Sequence, residues 1–355
     1  MPGRPNPGAT LVAPVHAFDH AALARYLRAT IGDAAQDIAV EQFQGGQSNP
    51  TYRVTTAEGR YILRRKPPGK LLPSAHAVDR EYRVMSALAG TGVPVARMLA
   101  LCEDDAVIGT AFYLMEYVEG RILWDPALPG MAPAQRTAHF DELNRVLAAL
   151  HGVDYAAVGL ADFGKPGQYI ERQVARWSRQ YLAGEADRIP AMDRLLEWLP
   201  RHLPPGDETS IVHGDYRLDN VIFHPTEPKV LAVLDWELST LGHPLSDFAY
   251  HVMAWRLTGS EFRGLKGQDL AALGIPSEAD YVAAYCRRTG RDAIPHWEFY
   301  LIFNMFRIAA ILHGVLSRAL QGNAASEDAV ATGGRARLVA DVAWNMARQW
   351  TTTEE

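Results

Sequence analysis

Two spacings of hydrophobic positions divide this chain. From about Ile38 to Leu101 apolar residues tend to alternate with polar ones, the period that places one face of a strand against a core. Thr51-Tyr-Arg-Val-Thr55 and Arg60-Tyr-Ile-Leu-Arg64 alternate around a turn at Gly59 and predict a hairpin. Ala111 to Val118 is an apolar run that predicts a further strand, ending at Glu119-Gly120. Beyond Gly120 the spacing changes to three and four. Phe140, Leu143, Val146, Leu147 and Leu150 make one stripe of a helix over 134–151, and helical patterns dominate 245–258 and the stretch from Ser277 onward. Two earlier segments share that period. His20 to Ile31 carries Leu23, Tyr26, Leu27 and Ile31 on one side, and Asp79 to Ala89 carries Tyr82, Met85 and Leu88 before Gly90-Thr-Gly-Val-Pro94 stops it.

The pattern predicts an α+β chain: a flexible Pro/Gly/Ala-rich tail over 1–16, a small antiparallel-sheet lobe over 17–118, and a larger helical lobe over 119–355. Composition agrees with that size. The 355 residues are 48% hydrophobic and 21% charged, enough to bury one large domain or two lobes. A net charge of −6, with no long basic run, gives no expectation of nucleic-acid or membrane binding. Cys102 and Cys286 are far apart and lack metal-ligand spacing, which fits a reducing compartment. The first residues carry no apolar leader, and no uninterrupted apolar run approaches membrane-crossing length, so the expected location is the cytoplasm.

The chemistry concentrates in Ile211-Val-His-Gly-Asp-Tyr-Arg-Leu-Asp-Asn220 and Val230-Leu-Ala-Val-Leu-Asp-Trp-Glu237. Asp215 and Asn220 lie five apart across a turn, and Asp235 follows a strand-like run fifteen residues after Asn220. Phosphoryl transfer uses such a set: a carboxylate to orient and accept a hydroxyl proton, and oxygen ligands for magnesium. On this reading Asp215 is the catalytic base, and Asn220 and Asp235 hold the metal. Glu237 either orients a metal-bound water or shapes the loop. His213 has a structural role, and Asp219 is a solvated turn residue.

His213-Gly-Asp215 with Asn220, followed by Asp235-x-Glu237, resembles the aminoglycoside phosphotransferase family of kinase-like enzymes. Phe43-Gln-Gly-Gly-Gln-Ser-Asn49 resembles that family's phosphate-covering loop, Tyr61-Ile-Leu-Arg64 its third strand, and Arg80-Glu81 the start of its ion-pairing helix. The stretch Leu63 to Val78 is similar to the branch whose kinase-like domain is fused to, or encoded beside, acyl-CoA dehydrogenases. The resemblance implies a bilobal protein-kinase-like fold with a nucleotide cleft, ATP and Mg2+ as cofactors, and transfer to a hydroxyl of a small molecule. In that frame Gly45, Gly46, Ser48 and Asn49 approach phosphates, and Arg64 takes the place of the phosphate-contacting lysine with Glu81 as its partner. Lys66 is the second candidate for that contact. Backbone groups of Glu116 and Val118 would meet adenine, and Asp247 would brace the catalytic block. Arg217 either stabilises the transferring phosphoryl group or pairs with Asp219 or Asp235.

On the acceptor side, Arg307 and Arg318 fall on one helical stripe with Ile311 and Gly314 between them. They either hold a carboxylate or the phosphates of coenzyme A, or serve as buried partners for carboxylates. The branch resemblance implies a hydroxyacyl-CoA or hydroxy acid as acceptor and a functional association with an acyl-CoA dehydrogenase. The competing readings are an aminoglycoside-type antibiotic kinase, a catalytically inactive nucleotide-binding module, a metal-dependent hydrolase using His213, Asp215, Asp235 and His243, and a protein kinase. The hydrolase leaves Asn220 and the Arg64–Glu81 order unexplained. The protein kinase lacks its Ala-Pro-Glu segment.

Overall fold

The structure is a computed structural model that describes residues 9–13, 16–32, 37–43, 49–69, 76–321 and 329–354. It separates into two compact units. The first holds residues 1–124, 158–160 and 218–239; the second holds 125–157, 161–217 and 240–355.

The first unit is built on a six-stranded antiparallel sheet, order β1-β2-β3-β4-β6-β5. Its elements are β1 (Ala9–Leu11), α1 (His20–Ile31), β2 (Ala39–Phe43), β3 (Thr51–Thr55), β4 (Arg60–Arg65), α2 (Val78–Leu88), β5 (Met98–Cys102), α3 (Asp105–Ile108) and β6 (Phe112–Glu116). The Asp19 carboxylate accepts the backbone N–H of Ala21 and Ala22 and starts α1, which Gly32 ends at a φ of 75°. Leu23 and Leu27 of α1 then join Tyr52, Val54, Leu63, Phe112 and Leu114 in one apolar core. Helix α2 buries Val84, Met85 and Leu88 and packs on β5 and β6. The expected flexible tail is corrected in part. Ala9–Leu11 pairs with Glu41–Phe43 and satisfies its backbone by extending the sheet.

In chain order the second unit begins with α4 (Pro133–His151), α5 (Tyr169–Leu182), α6 (Pro190–Trp198) and the short strand β7 (Ser210–Val212). Next comes a hairpin, β8 (Val221–Phe223) and β9 (Val230–Val233), which belongs to the first unit. The remaining elements return to the second: β10 (Thr240–Gly242), α7 (Pro244–Val252), α8 (Gly259–Phe262), α9 (Leu270–Leu273), α10 (Glu278–Thr289), α11 (Trp297–Leu320), α12 (Ala329–Gly334) and α13 (Ala336–Glu354). Helix α11 is long and apolar enough to cross a membrane by length and composition alone. Here it is the central helix of the second unit, packed by α5, α7, α12 and α13.

The sequence pattern places 119–355 in one lobe, and the hairpin corrects that division. Arg121 and Phe223 exchange both backbone hydrogen bonds at 2.8 Å, and the Val233 N–H donates to the Pro94 carbonyl at 2.9 Å. Gly120 allows this approach. A Cβ there would lie 2.3 Å from the Phe223 oxygen, closer than any side chain tolerates.

Candidate active site

In the first unit, strand pairing sets Arg64 of β4 opposite Tyr113 of β6. The Arg64 guanidinium forks. Its Nε lies 3.2 Å from Glu81 Oε2 on α2, and its Nη2 donates to Asp235 Oδ1 at 2.9 Å. Glu237 Oε2 stands 3.5 Å from the same nitrogen. The Glu81 side chain is 1% exposed and also accepts the Tyr113 hydroxyl at 3.1 Å and the Asn49 amide at 2.9 Å. Burial pushes the Glu81 carboxyl up to about 7, against the pull of Arg64. Burial works against the charge on Arg64, but Glu81, Tyr113, Asp235 and Glu237 outweigh it and raise the guanidinium above its ordinary range.

Asn220 and Asp235 occupy the two ends of the β8–β9 hairpin. Its register pairs Val221 with Val233, so the residues just outside the strands lie side by side, and the Leu234 N–H donates to the Asn220 carbonyl at 2.7 Å. Asp235 sits at φ 63°, ψ 62°, a left-handed conformation uncommon for a residue with a Cβ. Buried Trp236 helps hold the turn by donating its indole N–H to the Val233 carbonyl. Among the described residues, no group of three or more His, Cys, Asp or Glu is placed to hold a metal by itself. An amide and a carboxylate oxygen nevertheless fit magnesium, which takes few protein ligands and completes its shell with water and phosphate oxygens.

The second unit carries the remainder of the motif. Asp247, in the first turn of α7, accepts the backbone N–H of His213 at 2.7 Å and of Gly214 at 2.8 Å. His151 Nε2 lies 3.2 Å from the same carboxylate. Burial alone would raise Asp247; the bonds from His151 and His213 win and hold it below the usual range. His213, fully buried, accepts the Asp215 N–H through Nδ1 at 3.2 Å. Asp215 therefore projects from a loop whose backbone is fixed, and its side chain stays 19% exposed. Arg217 Nε stands 3.0 Å from Asp215 Oδ1, and the Tyr250 hydroxyl donates to that same oxygen.

Several expectations change on these contacts. Asn49 is fully buried, with its amide donated to Glu81 and its oxygen 3.1 Å from His76 Nδ1. It positions Glu81 rather than reaching a phosphate. Arg217 pairs with Asp215. Arg307 is buried and donates to the Gly214 carbonyl at 2.6 Å, whereas Arg318 is exposed. The two arginines do not share an acceptor surface. The Glu116 N–H is spent on the Arg97 carbonyl at 3.0 Å. Val118 lies two residues past the end of β6. Arg65, opposite in facing to Arg64, is buried against Phe18 and Thr110. Gly45, Gly46 and Ser48 lie outside the described residues. Sequence reasoning missed Tyr250 altogether; its position three residues after Asp247 on α7 was the available signal.

A family model described as the phosphotransferase enzyme family matches residues 39–300. The chain belongs to this family. It is 50% identical to mouse acyl-CoA dehydrogenase family member 10 over 92% of its own length and 31% of that protein's. It is 42% identical to rat acyl-CoA dehydrogenase family member 11 over 96% of its length and 45% of that protein's. The chain thus spans less than half of these curated relatives. A homoserine kinase of Caulobacter is 28% identical over 74% of this chain and 78% of that enzyme. Among solved structures, a candidate aminoglycoside phosphotransferase from Ralstonia eutropha superposes with a TM-score of 0.87 at 56% identity, covering 94% of this chain and 99% of that one. An aminoglycoside phosphotransferase bound to AMP-PNP and hygromycin B gives 0.57 at 17% identity over 90% and 98%. An aminopropanol kinase gives 0.59 at 19% over 93% and 98%. The fold is the kinase-like one, an antiparallel-sheet region followed by a helical region.

Proposed function

We propose that the chain transfers the γ-phosphoryl group of ATP, with Mg2+, to a hydroxyl of a small molecule carried as a hydroxyacyl-CoA or hydroxy acid. The observation that carries the reading is the Arg64 fork between Glu81 and Asp235. A kinase needs its phosphate-binding cation paired with a helix carboxylate, and a metal-binding aspartate in place as well. Arg64 would meet the donor's phosphates. Asn220 and Asp235 would hold magnesium, which neutralises charge on the phosphate oxygens. Asp215 would orient the acceptor hydroxyl and accept its proton as the oxygen attacks phosphorus and the ADP oxygen departs. Arg217, beside Asp215, would offset charge that develops on the transferring group.

The acceptor class is supported by local charge. Among the described residues of its unit, Arg217 stands beside Asp215, Arg307 donates to the Gly214 carbonyl, and Asp247 accepts two backbone N–H groups. Such surroundings disfavour a polycation and suit a neutral or anionic acceptor. The names of the most similar curated relatives point the same way. Phosphorylation makes a hydroxyl a better leaving group, so the product would suit an elimination that precedes an acyl-CoA dehydrogenase, the functional association proposed here.

The test is to incubate the protein with ATP and Mg2+ against hydroxyacyl-CoAs, free hydroxy acids and aminoglycosides, and to follow acceptor mass. A gain of one phosphoryl group on an acyl-CoA or hydroxy acid, absent with Asp215→Asn, is the expected result. Transfer to an aminoglycoside alone would overturn the acceptor class. Bound ATP with no transfer to any acceptor would favour an inactive module.

A further inference from the structure

We infer that Tyr250 and Arg307 form a clamp that positions the Asp215 carboxylate, an inference resting on the reading of Asp215 as the base. Tyr250 is buried on α7, and its hydroxyl donates to Asp215 Oδ1. Its ring is held in turn. The Arg307 guanidinium of α11 lies 5.1 Å from the Tyr250 centroid and 5.6 Å from that of Trp177 on α5, a cation between two π faces. The same guanidinium donates to the carbonyl of Gly214, the residue that precedes Asp215.

Two helices therefore converge on two adjacent residues, α7 through the carboxylate and α11 through the preceding peptide, while Trp177 of α5 backs the Arg307 guanidinium. A carboxylate on a free χ1 and χ2 samples several rotamers, and a base must meet its proton within hydrogen-bond reach. The Tyr250 hydroxyl selects the rotamer, and Arg307 keeps both the ring and the loop from drifting. A structural ring in the core would need only its apolar edge. A buried hydroxyl aimed at the one carboxylate read as the base adds a function to that packing. The groups that face Asp215 are Arg217 on its own loop, Tyr250 from α7, His213 through the Asp215 N–H, and Arg307 from α11 through Gly214. Asp247, with His151 behind it, holds the N–H groups of His213 and Gly214.

Tyr250→Phe keeps the ring and deletes the donor. Loss of that donor frees the Asp215 carboxylate to sample other rotamers, so its 13C-carboxyl resonance should move and broaden at a fixed pH. The measurement is the 13C-carboxyl NMR spectrum of aspartate-labelled protein at one fixed pH, wild type and Tyr250→Phe, with Asp215→Asn assigning the signal. It requires no acceptor. In parallel, turnover of 3-hydroxybutyryl-CoA should fall by about 10- to 100-fold in kcat with KM nearly unchanged, while Arg307→Lys, which keeps the charge but not the fork, should fall between wild type and Arg307→Met. An Asp215 carboxyl resonance unmoved in Tyr250→Phe would overturn the clamp. Full activity of Asp215→Asn would instead overturn the base reading, whatever the spectrum shows.

Discussion

At the residue scale, Arg64 shows why an arginine stands at a position where kinases use lysine. A lysine ammonium is a point donor, whereas the planar guanidinium reaches Glu81 through Nε and Asp235 through Nη2 at once. Arg64→Met should leave Glu81 buried without its cation and cost about 3 kcal/mol at pH 8, read from urea unfolding. Glu81 is already pushed up to about 7, so it can shed its charge near pH 5.5, where the loss should be smaller. Adding Glu81→Gln should recover part of the pH 8 loss, and equal losses at both pH values would contradict this assignment. The family resemblance paired Arg64 with Glu81, and alternation on β4 set Arg64 on the face opposite Arg65. Neither revealed the roles of Asn49, Arg307 or Tyr250. A buried Asn is indistinguishable from a loop donor in sequence. A tyrosine on an apolar helix reads as core until the helix is docked.

Among the elements, α11 and the β8–β9 hairpin teach the same lesson about periodicity. Arg307 and Arg318 do share a helical azimuth, but eleven residues separate them by roughly 16 Å along the axis. One end of that stripe meets the Asp215 loop and the other meets solvent. Azimuth alone does not fix environment. The hairpin joins the first unit through backbone pairing that no side-chain pattern announces, and Gly120 is the residue that permits it. Gly120→Ala would set a Cβ 2.3 Å from the Phe223 oxygen and 2.4 Å from Ile222 Cγ2. The expected loss is about 1–3 kcal/mol, seen as a lower thermal midpoint; an unchanged midpoint would show that the strand shifts freely. Helix α7 offers a second element-scale check. Asp247→Ala strands two buried N–H groups, of His213 and Gly214, at about 1–3 kcal/mol for each unsatisfied group. Far-UV circular dichroism should show the helices intact while activity falls.

Across the whole molecule, the chain passes from the second unit to the first between Arg217 and Leu218 and returns between Ser239 and Thr240. Asp215 and Arg217 thus belong to one unit, and Asn220, Asp235 and Glu237 to the other. The motif that reads as one block in sequence is divided between two cores. Global stability should respond to acid through the second unit. Burial depresses His243 and His251 to about 4 from an ordinary 6.5. Below pH 6.5 the unfolded chain takes up protons that these histidines refuse, so their stabilising share is full above 6.5 and is lost as pH falls through about 4. Glu81 has the opposite sign, its raised pKa giving stability that is lost as pH rises through about 7. With two histidines against one carboxyl, chemical-denaturation midpoints should fall from pH 6.5 to 4, less steeply in His251→Gln. A midpoint that rose over that range would contradict the balance.

We propose phosphoryl transfer to a hydroxyl, with Asp215 as the base and Arg64 as the phosphate-binding cation. 31P NMR of the protein with ATP, Mg2+ and a hydroxyacyl-CoA tests it most directly. The account predicts a phosphomonoester resonance that grows one for one with ADP and that Asp215→Asn slows by at least about 100-fold. ADP accumulating with inorganic phosphate alone, or a phosphomonoester formed equally fast by Asp215→Asn, would contradict it.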